Sequence, residues 1–135
     1  MEQTATATAP KPSWDAIEKA RAIVLAALDL KAEQIVVLDM REVSSFADVF
    51  VIATGRSDRH VRSIAESIAQ RLAVLGDAPL GMEGQQEGRW VLIDANDVIV
   101  HVFDPETREA YDLERLWSDA PALALVPEQA EQAPS

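Results

Sequence analysis

A chain of 135 residues with no cysteine has room for one domain and none for disulfides or thiolate chemistry. Its formal charge of −11 opposes long-range attraction to nucleic acid or anionic lipid. It has no apolar run of about 18 residues to cross a membrane, and its N-terminus has neither an apolar stretch nor an Arg-rich pattern, so a cytoplasmic protein is expected.

The two ends differ from the middle. Residues 1–12 are Ala, Thr, Pro and Lys without an apolar period, and residues 121–135 are rich in Ala, Pro, Gln and Glu. Neither stretch can bury enough apolar surface to offset the entropy of ordering, so both are expected to be mobile tails around a domain over 13–120. Outside the tails remain 11 of the 12 basic and 20 of the 23 acidic residues. Their distribution is uneven. Eight carboxylates lie between positions 90 and 119 against only Arg108 and Arg115, whereas Arg56, Arg59 and Arg62 crowd one short stretch. A basic protein suits the acidic end better than a phosphate backbone does.

In chain order, Trp14, Ile17, Ala20, Val24 and Leu28 fall at helical spacing, with Ser13 placed to cap the helix. A β-branched run over 35–38 predicts a buried strand ending at Asp39, and 43–47 reads as a connector containing Ser44 and Ser45. A second strand over 48–54 stops at Gly55. A helix follows, capped by Ser57 or Asp58, with Val61, Ile64, Ala65, Ile68 and Leu72 as its buried stripe and Gly76 past its end. Residues 79–83 read as a weak edge strand and 84–88 as a polar loop. Strands over 90–94 and 98–103 form a hairpin about Ala95, Asn96 and Asp97, where Asn96 tolerates the positive φ such turns need. After Asp104-Pro105 a short helix runs through Tyr111, Leu113, Leu116 and Trp117, placing the last three on one face. The order α β β α β β β α gives an α/β fold with a mixed sheet of about five strands flanked by helices, not a doubly wound parallel sheet.

No constellation announces catalysis. His60 and His101 stand apart from each other and from any partner at metal-ligand spacing, so no metal site is expected. His60, in the first turn of a helix, reads as solvent-exposed; His101 reads as a hydrogen-bonded residue of a half-buried strand face or as a partner contact. Thr54-Gly55-Arg56-Ser57 leads a strand into a helix start, where backbone N–H groups could cradle phosphate, but the Lys of a P-loop and a Gly-x-Gly-x-x-Gly run are absent. Nucleotidyltransferases use such a turn together with two carboxylates, one residue apart, on the next strand to hold Mg²⁺. Here that strand offers only Glu83, and Asp112-x-Glu114 falls in the terminal helical segment. Asp39, Asp48, Asp94 and Asp97 sit where carboxylates cap backbone N–H groups. Trp90, Tyr111 and Trp117, in an acidic segment, suit either the core or an interface hot spot.

Taken jointly, the residues resemble a known family. Asp48-Val-Phe-Val-Ile-Ala-Thr-Gly55-Arg-Ser57-Asp-Arg59-His60-Val61 is similar to the first half of the ribosomal silencing factor family, also called the Iojap family. Glu83-Gly84, Trp90 to Asp94, Asp97 to Phe103, Arg108, Tyr111, Leu113-Glu114 and Leu116-Trp117 resemble its second half in order. Asn96 stands where a glycine is common and Phe50 where a tyrosine is common; both suit the same backbone.

The resemblance implies a nucleotidyltransferase-like fold without the catalytic carboxylates and a protein that is not an enzyme and uses no cofactor. It implies binding to the large ribosomal subunit through the ribosomal protein conventionally numbered fourteen, on the face that meets the small subunit. Occupying that face would block subunit joining and repress translation. Homodimers also occur in the family. The rival readings are a nucleotidyltransferase-like enzyme using Gly55, Ser57 and a carboxylate, and an adaptor for another basic protein. The candidate partner-binding residues are Trp90, Asp94, His101, Arg108, Tyr111, Leu113, Glu114 and Trp117. Trp90 and Asp94, on one face by strand alternation, are expected to flank a pocket. No direct nucleic-acid or membrane contact is expected.

Overall fold

Residues 14–127 are described by the structure, a computed structural model; the expected tail over 1–12, Ser13, and the last eight positions lie outside them. Helix α1 (Ala16–Asp29) is capped by Asp15 rather than Ser13. The Asp15 carboxylate accepts the Glu18 N–H at 2.9 Å, and the Glu18 carboxylate accepts the Asp15 N–H at 3.0 Å. This reciprocal box satisfies two N–H groups that a serine farther out could not reach.

Strand β1 (Glu33–Asp39) runs antiparallel to β2 (Val49–Thr54), with an irregularity between Glu33 and Val36 where Gln34 adopts φ 51°. Helix α2 (Asp58–Val74) follows, capped by the Ser57 hydroxyl, which accepts the His60 N–H. Gly76, at φ 87°, lies just beyond its end. Then come β3 (Gly81–Glu83), β4 (Trp90–Ala95), β5 (Val98–Phe103), α3 (Pro105–Tyr111) and α4 (Leu113–Leu116). The sheet order is β1-β2-β5-β4-β3, with β2 and β5 parallel and every other pair antiparallel. Asn96 takes φ 73° in the β4–β5 turn, and its N–H donates to the Asp94 carboxylate.

Every residue of β2 and β5 is buried. Val49, Val51 and Ala53, with Val98, Val100 and Val102, pack with Ile23, Val24, Ile64 and Ile68 of α1 and α2. The opposite face carries Phe50, Ile52, Ile99 and Phe103 against Leu38, Met40, Ala47, Leu113 and Ala120. Lys19 is also buried. Its ammonium lies 2.9 Å from Asp77 and 3.1 Å from Asp97 and donates to the Ala95 carbonyl, while the Trp14 indole N–H donates to Asp77. That set ties α1 to the turn after α2 and to the β4–β5 hairpin.

Two expectations fail here. The terminal helix is not continuous: Asp112 enters the left-handed region at φ 49°, ψ 56°, dividing α3 from α4. Leu113, Leu116 and Trp117 therefore do not share a buried face; Leu113 is buried, Trp117 half-buried and Leu116 69% exposed. Nor does order end at Ala120. The Asp39 N–H donates to the Pro121 carbonyl and the Leu123 N–H to the Val37 carbonyl, with Ala122 bridging antiparallel to Leu38. Residues 121–126 thus strap the outer edge of β1, and Leu125 and Val126 enter the core beneath α1 and α2. Composition alone hid this, because two well-placed apolar residues suffice to anchor a polar segment.

A chain cut after Ala120 is expected to lose roughly 3 to 6 kcal/mol of stability, from two apolar side chains at about 1.5 to 3 kcal/mol each. Urea unfolding monitored by tryptophan fluorescence checks this; an unchanged midpoint would mean that the strap contributes nothing.

Candidate partner-binding face

The α1–α2 face of the sheet is sealed, so the chemistry of interest lies on the other. Alternation along three strands sends Phe50 from β2, Trp90, Leu92 and Asp94 from β4, and Ile99, His101 and Phe103 from β5 to this face. Among the described residues, the 40–47 connector, the α3–α4 corner and Ala120 cover it. Aromatic rings fill what they leave. Tyr111 meets Trp90 with ring centroids 4.7 Å apart, Trp90 meets Phe103 at 5.0 Å and His101 at 5.9 Å, and His101 meets Phe50 at 4.8 Å. Phe50 in turn touches Trp117 at 5.9 Å and Phe46 at 6.1 Å. The row is buried in its middle and open at both ends, with Tyr111 58% and Phe46 62% exposed.

His101 sits in the buried middle, 5% exposed. Its Nδ1 accepts the Trp90 indole N–H at 3.2 Å, so the imidazole proton resides on Nε2, which has no hydrogen-bond partner among the described residues. Burial among aromatic rings disfavours the charged form and pushes its pKa from 6.5 down to about 4. Trp90 is also fixed by its backbone. Gly84, at φ 89°, lies so close that a Cβ there would sit 2.0 Å from the Trp90 carbonyl oxygen, which only glycine permits.

The eight expected residues divide into three groups. Trp90, Tyr111 and Trp117, with His101 beneath them, form one continuous row. Asp94 shares their face but lies four residues along β4 from Trp90, about 13 Å at the rise of a strand. It closes the hairpin turn by accepting the Asn96 N–H, and it lines neither of the two grooves beside Trp90. Arg108, Leu113 and Glu114 lie below the surface or support it. Leu113 is core, and the buried Arg108 guanidinium is gripped by Glu114, whose side chain is 38% exposed. An arginine with partners 54 and 74 residues away carries no local sign of burial.

The groove beside Trp90 is instead lined by Glu87, Arg89, Glu106, Thr107, Ala110 and Tyr111, with a volume of about 420 Å³. Glu87, Glu106, Glu109 and Asp112 are exposed around Tyr111 and give this end an acidic rim. Phe46 and the groove-lining glutamates escaped the sequence reading. A phenylalanine between serine and alanine in a polar connector was the only signal for Phe46.

The helix start after Gly55 is satisfied from within. His60 is not a free surface residue: its Nδ1 accepts the Arg56 N–H at 2.8 Å, and its Nε2 donates to the Leu30 carbonyl at 2.7 Å, pinning the end of α1 to the start of α2. The next strand, β3, presents Glu83 alone, and Asp112 and Glu114 lie at the α3–α4 corner. Among the described residues no three His, Asp or Glu side chains gather as a metal site.

The chain is similar to known proteins in sequence and fold. Residues 13–135 match the family model described as ribosomal silencing factor during starvation. The chain is 47% identical over 97 residues to the ribosomal silencing factor RsfS of Bacillus subtilis, covering 72% of this chain and 82% of that one. It is 44% identical over 97 residues to its counterpart in Halalkalibacterium halodurans, covering 72% and 83%. A crystal structure of a Chromobacterium violaceum protein superposes with a TM-score of 0.76 at 37% identity, over 78% of this chain and 88% of that one.

The buried imidazole makes stability depend on pH. Between about pH 6.5 and 4 the unfolded chain takes up a proton at His101 that the folded chain refuses, so stability falls on acidification through that window and the loss levels off below it. This group alone accounts for about 3 kcal/mol. Asp39 acts lower. Its hydrogen bonds from Arg41 bring its pKa from 3.8 to about 2, so its contribution is present above pH 3.8 and lost only as pH falls toward 2. Urea unfolding of the parent and of His101→Gln at pH 7, 5.5 and 4 is expected to show the slope in the parent and its loss in the variant.

Proposed function

Because the chain belongs to the ribosomal silencing factor family, we propose that it binds the large ribosomal subunit at the face that meets the small subunit, through the ribosomal protein conventionally numbered fourteen. Occupying that face excludes the small subunit by volume, so translation is repressed without any chemical step. The observation that carries this reading is the aromatic row with open ends. Rigid amphipathic rings, part buried and part wet, are what interface anchors are made of. The acidic rim about Tyr111, on a chain of charge −11, suits a basic ribosomal protein and repels bare phosphate. The same reading places the protein in the cytoplasm and includes a homodimer in solution, which sedimentation analysis tests. The deciding experiment mixes purified small and large subunits with the protein and follows 70S formation on sucrose gradients. Dose-dependent loss of joined ribosomes, with the protein on the large subunit, is expected; full joining at saturating protein would reject the reading.

Tyr111 is the sharpest single test. Its exposure means that truncation leaves the fold intact, and Tyr111→Ala is expected to weaken large-subunit binding by roughly 1 to 3 kcal/mol. A thermal melt accompanies the binding titration. A variant that melts like the parent and still blocks joining at the same concentration removes Tyr111 from the face.

Salt discriminates between protein and RNA contact. Binding is expected to weaken with salt, but with a log–log slope shallower than the roughly −5 to −9 of a protein that neutralises about 6 to 10 phosphates. A slope in that steep range would indicate ribosomal RNA contact.

No nucleotidyl transfer is expected from the helix start after Gly55, where Glu83 stands alone on the next strand. Calorimetric titration with ATP, GTP and CTP in Mg²⁺, coupled to a transfer assay, checks this; saturable micromolar binding with turnover would establish an enzyme.

A further inference from the structure

One of the residues expected at the partner face is turned mostly inward. Arg108 is 8% exposed, and its guanidinium is engaged inside the molecule. Nη1 donates to the Gln34 carbonyl at 2.6 Å and to the Thr54 hydroxyl at 2.7 Å. Nε and Nη2 donate to the two oxygens of Glu114 at 3.3 and 2.9 Å. These partners belong to the irregular start of β1, the last position of β2, and α4. A planar fork bonded to three elements fixes orientation as well as distance.

Apart from the fork, the corner is held by Leu113 in the core and by the ring contacts of Tyr111 with Trp90 and of Trp117 with Phe50. Helix α3 stops at Tyr111, Asp112 turns through the left-handed region, and α4 is a single turn without a side-chain cap. Such a turn is not stable alone. Leu113 is its only buried residue, and Leu116 points to solvent. Yet this corner presents Tyr111, Leu116 and Trp117.

We infer that Arg108 is a positioning residue: acting through Glu114 and the Gln34 carbonyl, it holds the α3–α4 corner in one arrangement, so that the anchors meet the ribosomal partner already ordered. The inference rests on the proposed function. Its physical content is that apparent affinity scales with the fraction of molecules whose binding surface is formed. A corner that is formed one-tenth of the time binds about tenfold more weakly, and the loss appears in the association rate.

Arg108→Lys keeps the charge but not the fork, and Glu114→Ala releases the α4 side of it from a part-exposed position, with a thermal melt reporting any general loss of stability. Hydrogen exchange on the free protein and association kinetics with large subunits are measured for both, beside the parent. Faster exchange at 105–117, unchanged exchange in β2 and β5, and an association rate reduced about tenfold are expected for both. Three results overturn the inference while leaving the proposed function intact: exchange and association like the parent's; exchange accelerated evenly across the sheet together with a lowered melting point, which is a general stability role; or faster dissociation at an unchanged association rate, which is a direct contact. A parent chain that fails to bind large subunits overturns both.

Discussion

The two central strands have to be covered twice. β2 and β5 run parallel, side by side, and their alternating residues leave no polar edge for water on either face. Helices α1 and α2 meet that demand fully on one side. On the other, the described residues offer a connector, two short helices and Ala120, and aromatic rings fill the shortfall. Large flat side chains can close a hydrophobic layer while keeping one edge wet. The thin layer is therefore closed in its middle and open at its ends: the rings that shield Ile52 and Ile99 from water are continuous with those that reach the surface at Tyr111 and Phe46.

Burying an imidazole within that layer is a constraint of the same kind. His101 could have been a surface contact; it is instead a neutral acceptor that orients the Trp90 indole. Charge is excluded from the centre of the row and concentrated at its margins, in Glu87, Glu106 and Glu109, where it remains hydrated.

Much of the fold was legible because its signals are local. The alternation of 90–94 and 98–103, the positive φ of Asn96, the cap at Ser57 and the glycine beyond α2 each need only neighbouring residues to be read. The same alternation correctly set Trp90 and Asp94 on one face. What sequence could not supply was distance. Gln34 and Thr54, which accept from Arg108, lie far away in the chain, as do the partners of Lys19, though Lys19 falls on the same helical stripe as Ala16, Ala20 and Ile23, a hint available in its spacing. A single left-handed residue, Asp112, moved Leu116 from an expected packing face to solvent, and aspartate is too common in helices to announce such a break. Asp94 illustrates the converse: the right face, but the wrong end of the strand.

The strap over β1 bears on how the molecule comes to exist. β1 is made well before the segment that pairs with its outer edge. Until that segment arrives, the nascent sheet carries a row of unpaired backbone N–H and C=O groups, a template for pairing with neighbouring chains. Arg41 and Glu42, just past the strand's end, are exposed charges placed where they discourage such pairing. The edge is closed when the segment docks and Leu125 and Val126 reach the core.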